Sequence, residues 1–177
     1  SVPSTTGLPG LITVEWSKDR SVWAPVADVV LDALGVGSFS LAPTTNRWLR
    51  ARVARFDGAV DVSQSLFVRA NATAVLASSL PTGRTVARTT KITLTETIRP
   101  VGAGVAAGRS RFDFFLKVGT AWVRKRILYA NADPATGRAK LVTTLPSYGS
   151  WWIRSRAEPT ATNGASAWTA GFKYLVR

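Results

Sequence analysis

Apolar and polar residues alternate in short runs along most of this chain, the period of half-buried β-strands rather than of helices. Only 26–34 fits a short helix, and its Val29-Val30-Leu31 run suits a strand better. Over 71–177 the pattern predicts seven strands, at 72–78, 89–98, 110–118, 121–131, 138–145, 150–157 and 166–176. Turn residues separate them: Pro81-Thr82-Gly83, Pro100 to Gly108, Gly119-Thr120, Asp133 to Gly137, Pro146 to Gly149 and Asn163-Gly164. Over 1–70 the pattern predicts only five, at 11–17, 22–31, 37–42, 47–55 and 61–69.

Those five strands overlay the last five of the second half. Trp23 falls on Trp122 and Gly37 on Gly137. Trp48-Leu49-Arg50-Ala51-Arg52-Val53 falls on Trp152-Ile153-Arg154-Ser155-Arg156-Ala157, and Phe67-Val68-Arg69 on Leu175-Val176-Arg177. The chain therefore reads as an internal repeat whose first copy lacks two opening strands. A sheet cut short in this way leaves backbone groups unpaired and part of its apolar face uncovered. The expected remedy is upstream sequence or a second chain that completes residues 1–70.

The repeat unit combines a Trp in a hairpin, an Asp-x-x-Gly-type turn, an aromatic-x-Arg-x-Arg strand and a Ser-rich last strand. It resembles the tandem immunoglobulin-like or fibronectin-type-III-like repeats of secreted and cell-surface proteins from high-GC Gram-positive bacteria. The resemblance spans nearly the whole chain and rests on rhythm rather than on a signature. It implies an all-β fold of two tandem immunoglobulin-like β-sandwiches: an incomplete unit at 1–70, lacking its opening two strands within this chain, and a complete one at 71–177. It also implies a secreted or surface-displayed structural or adhesive module, an accessory part of a larger exported protein.

Composition narrows the chemistry. The 177 residues include no Cys, Met or His, which removes disulfides, thiolate catalysis, the usual general base and the commonest metal ligands. No apolar run is long enough for a membrane span, and the start at Ser1 reads as a processed or truncated end without a signal peptide. The ten carboxylates include no acid–base pair. Asp19, Asp28, Asp32, Asp57, Asp61 and Asp133 mostly sit at turns or strand ends. The expectation is no enzyme, no cofactor and no metal.

Charge is uneven. Residues 1–70 carry seven basic and six acidic side chains; residues 71–177 carry sixteen and four, within a net +13. Such a half suits an anionic partner, a cell-wall polymer or glycan, though solubility explains the charge as well.

On a strand alternate side chains share a face. Trp152, Arg154 and Arg156 should thus line one face, with Ile153, Ser155 and Ala157 turned to the core, and Trp48, Arg50 and Arg52 should do the same in the first copy. Trp122, Arg124 and Arg126 supply a further outward row. Joined, these rows would make a basic aromatic platform for a polyanion or glycan. The competing reading is internal. Ala165-Ser166-Ala167-Trp168-Thr169 resembles a one-Trp version of the Trp-Ser-x-Trp-Ser motif of cytokine-receptor fibronectin-type-III domains. That resemblance implies that Trp168 stacks on Arg154 or Arg156, and such a ladder is favoured over the platform. Lys125 breaks the alternation, which a β-bulge or an edge strand would resolve. A third function, a virion or filament subunit completed by a neighbour's strand, follows from the short first copy.

Overall fold

The computed structural model describes residues 10–55, 57–102 and 105–177. Thirteen strands and no helix occur among them, so the fold is all-β. The chain divides into two units, Ser1–Ala70 and Asn71–Arg177.

The first unit holds β1 (Leu11–Ser17), β2 (Ala24–Val30), β3 (Arg47–Ala54), β4 (Val60–Val62) and β5 (Leu66–Val68). They form one antiparallel sheet in the order β2-β1-β3-β4, with β5 pairing the start of β3 and β4 its end. The register of β1 against β3 puts Val14, Trp16, Leu49 and Ala51 on one face, and Thr13, Glu15, Ser17, Trp48, Arg50 and Arg52 on the other. Val29, opposite Ile12, joins the apolar face. Of these apolar side chains only Val14 and Val29 are buried; the rest are half-buried. Among the described residues no second sheet faces them.

Two expectations fail here. Residues 37–42 form no strand. Their counterpart in the second unit pairs with a strand of the opposite layer, and among the described residues the first unit has no such layer for 37–42 to join. The expected strand at 61–69 is interrupted between β4 and β5. Ser63 accepts the Ala51 N–H through Oγ rather than through its carbonyl, while its own N–H donates to the Ala51 carbonyl. A hydroxyl thus replaces one rung of the ladder.

The second unit holds β6 (Thr73–Ser78), β7 (Arg84–Val86), β8 (Ile92–Arg99), β9 (Arg109–Val118), β10 (Ala121–Asn131), β11 (Arg138–Thr143), β12 (Gly149–Ala157) and β13 (Phe172–Val176). They form two sheets, β11-β8-β6 and β10-β9-β12-β13-β7. Ile92 and Leu94 of one sheet meet Phe112, Phe114, Trp151, Ile153, Tyr174 and Val176 of the other in one buried core, a sandwich-like arrangement. Burial of this apolar surface, at about 25 cal/mol per Å², is the main driving force for the unit.

All seven strands expected in this half are present, with two changes. The short β7 pairs parallel with β13; three residues in a turn-rich segment carry no periodic signal. The last strand begins at Phe172 rather than at 166, because 166–169 follows β12 through hydroxyls. Ser166 Oγ accepts the Ala157 N–H at 2.9 Å, and Thr169 Oγ1 accepts the Ser155 N–H at 3.0 Å. Gly171, at φ +80°, then turns the chain into β13; a β-carbon there would run into the Ile153 carbonyl and the Trp152 indole.

The order β10-β9-β12-β13 in the second unit repeats β2-β1-β3-β4 in the first. Each unit thus has a layer of the same strand order, and among the described residues a layer opposite it occurs in the second unit alone.

Candidate functional site

Alternation along β12 places its side chains as expected. Trp151, Ile153, Ser155 and Ala157 are buried, while Trp152, Arg154 and Arg156 lie half-buried on the outer face. The register then brings Phe115, Asp113 and Arg111 of β9 opposite Trp152, Arg154 and Arg156 respectively. Arg111 and Arg156 face each other directly, a pairing that repels unless neutralised.

Neutralisation comes from two carboxylates. Asp113 has no exposed surface and accepts from Arg111 Nε at 2.7 Å and Nη2 at 3.1 Å, with Arg124 Nη1 at 3.5 Å. The Asp113 bond raises Arg111 further above its usual guanidinium value. Arg156 Nε donates to Glu158 at 3.1 Å.

Trp168 lies over this row. Its ring centroid is 4.3 Å from the guanidinium carbon of Arg154, 4.8 Å from that of Arg156 and 5.5 Å from that of Arg111. Arg154 also lies over Phe115 at 5.0 Å and Trp152 at 5.1 Å, so aromatic rings surround it. The Ser166 and Thr169 hydroxyl bonds to β12 hold Trp168 in place. Trp168 thus lies over the guanidinium groups of both Arg154 and Arg156.

Trp122 and Arg124 reach the same face. Trp122 meets Trp152 edge-on at 6.0 Å, and Phe115 lies 5.1 Å from Trp152. Arg126 does not join them. The register of β10 against β9 slips between Arg124 and Arg126, so Arg124 pairs with Phe115 but Arg126 with the core residue Phe114. The bulge absorbs Lys125 and sends Arg126 to the other side of the strand, where Nη1 donates to Thr143 Oγ1 at 3.3 Å. The expected row of three is thus a row of two. Both devices foreseen for Lys125 are present: β10 is bulged and is an edge strand.

The first unit repeats the arrangement on a smaller scale. Glu15, on the strand central to its sheet, accepts from Arg50 at 2.8 Å and lies 4.0 Å from Arg52. Arg50 covers Trp23 at 4.2 Å, and Trp48 packs on Phe67 at 4.9 Å. In both units a buried carboxylate lies directly across the ladder from the middle Arg of the Trp-x-Arg-x-Arg strand.

Sequence reasoning passed over Asp113, Glu15 and Phe115. The signal was there: Asp113 is a lone carboxylate in the run Phe112-Asp113-Phe114-Phe115, on the alternate position that faces outward.

Among the described residues no group of three or more carboxylates converges as a metal site, and no helix is long and apolar enough to cross a membrane. No protein-family model matches the chain, and no curated protein matches it.

Proposed function

We propose that this chain is a non-catalytic structural and adhesive module of a secreted or surface-displayed protein, built from immunoglobulin-like units. The strand order of the second unit supports that reading: three strands against five, the chain crossing between the sheets five times and keeping β9–β10 and β12–β13 as hairpins within one, a mix of crossings and hairpins as in immunoglobulin sandwiches. The observation that carries the structural role is the self-contained outer face. Arg111, Arg154 and Arg156 stack on Trp168, and Asp113 and Glu158 neutralise Arg111 and Arg156. Those groups stiffen the sheet and leave little for a ligand.

Trp168→Ala tests the role. Each cation–π contact is worth about 0.5–1 kcal/mol at an exposed site, so the variant should unfold at clearly lower denaturant concentration while its retention on immobilised polysaccharide stays as in the parent. Unchanged stability with lost retention would make the row a ligand platform instead.

The described residues of the first unit form a single layer with a half-buried apolar face. In this reading strands from outside those residues, such as a second chain, cover that face.

A further inference from the structure

The arginines of the outer face are occupied, but one end of the same sheet is not. There a groove of about 320 Å³ is lined by Trp122, Lys117, Lys173, Ser150, Leu175 and Gly83, among others. Its volume lies at the lower end of the range of small-molecule sites, roughly 300–1,000 Å³.

Strand pairing builds it. Trp122 of β10 lies directly opposite Lys117 of β9, and Lys173 of β13 directly opposite Trp152 of β12. The backbone at Lys173 is fixed twice, its N–H donating to Thr82 Oγ1 at 3.0 Å and its carbonyl accepting the Gly83 N–H at 2.7 Å. Trp152 is braced from behind by its indole N–H bond to the Ala170 carbonyl at 3.1 Å, and Trp122 rests edge-on against it. The indole of Trp122 is half-buried, and no guanidinium covers it among the described residues.

Both lysines are exposed and make no ion pair among the described residues. The second unit has only four carboxylates, and all are engaged elsewhere. Asp113 and Glu158 hold arginines, Asp133 caps its own turn, and Glu96 is buried in the core. An open aromatic face at one side of a groove that also holds two uncompensated ammonium groups suits a sugar ring that carries an anion.

We propose that this groove binds an acidic glycan. A sugar ring stacks on Trp122, and its carboxylate or phosphate lies between Lys117 and Lys173. The proposal rests on the adhesive part of the function above and assigns it to the lysine end of the sheet rather than to the arginine row.

The test is retention and affinity of the full chain on three probes at low salt: oligogalacturonate for carboxylate, a phosphorylated mannan for phosphate, and neutral dextran. Parent protein should bind at least one acidic probe and not dextran, and the acidic probe that binds identifies the anion. Trp122→Ala and the pair Lys117→Ala with Lys173→Ala should each weaken binding about tenfold or more. Trp122→Phe, which keeps a ring, should retain most of it. The pair Lys91→Ala with Lys140→Ala, both exposed and outside the groove, removes the same charge elsewhere and should cost less than about threefold. An unchanged far-ultraviolet spectrum certifies that each variant is folded. Equal losses from both lysine pairs, or full binding by folded Trp122→Ala, would overturn the groove and leave adhesion standing. Absence of parent binding to every probe would overturn the groove and the adhesive role together.

Discussion

Glu96 shows most clearly how a single residue can set a property of the whole second unit. Alternation along β8 turns it inward between Leu94 and Ile98, and it has no exposed surface. Ser155 Oγ donates to Oε1 at 2.6 Å, but Oε2 has no hydrogen-bond partner. Burial pushes the carboxyl above its usual value near 4.5; the hydroxyls of Ser110 and Ser155 oppose this and do not cancel it, Ser110 lying close but outside bonding geometry. Between the unfolded value and the raised folded one, the native state keeps a proton that the unfolded chain has lost. Stability therefore falls as pH rises through that window and stays lower above it. Glu96→Gln should leave the unfolding midpoint unchanged near pH 4, raise it at pH 7 and flatten the profile between them. A midpoint lowered more at pH 7 than near pH 4 would mean that the carboxylate is the form the core favours. No charge pattern disclosed Glu96: it occupies a core position in the otherwise regular run Ile92-Thr93-Leu94-Thr95-Glu96-Thr97-Ile98, where strand alternation outweighs residue type.

At the scale of elements, strands with clean alternation were legible and those defined by their neighbours were not. β12 alternates without a break, so both its faces followed from sequence. The bulge in β10 was foreseeable as one of two ways to accommodate Lys125, yet its effect on Arg126 depends on which side of the extra residue the register resumes. The stretch 37–42 has strand composition and no strand to pair with, and β7 has a partner and almost no composition signal. Ser166 and Thr169 explain the late start of β13, since hydroxyl acceptors substitute for a backbone ladder. The edge position of β10 gives Lys125 a purpose, because an exposed strand edge with a charged bulge resists pairing with another copy. Lys125→Val should keep the fold and introduce concentration-dependent association, visible in sedimentation velocity. A variant that stays monomeric across the same concentrations would show that the bulge alone protects the edge.

For the whole molecule, two units that share the layer order β2-β1-β3-β4 and β10-β9-β12-β13 differ in what lies behind that layer. The second unit has a buried core with Trp151, Ile153, Phe112 and Phe114 almost wholly enclosed. The first has an apolar face that is mostly half-buried, with Leu66, opposite Leu49 on that face, at 66% exposure. Length alone foreshadowed this difference, since a sandwich needs roughly 100 residues and the first unit has 70. What length could not give was which layer would be kept. Hydrogen exchange on the intact chain measures the difference directly, because exchange by global opening reports the stability of each unit. Slow and uniform exchange is expected across β8, β9 and β12, with β1 and β3 exchanging at least about a hundredfold faster until a completing strand or chain is supplied. Equal protection of β1, β3 and β12 in the chain alone would contradict an open single layer in the first unit.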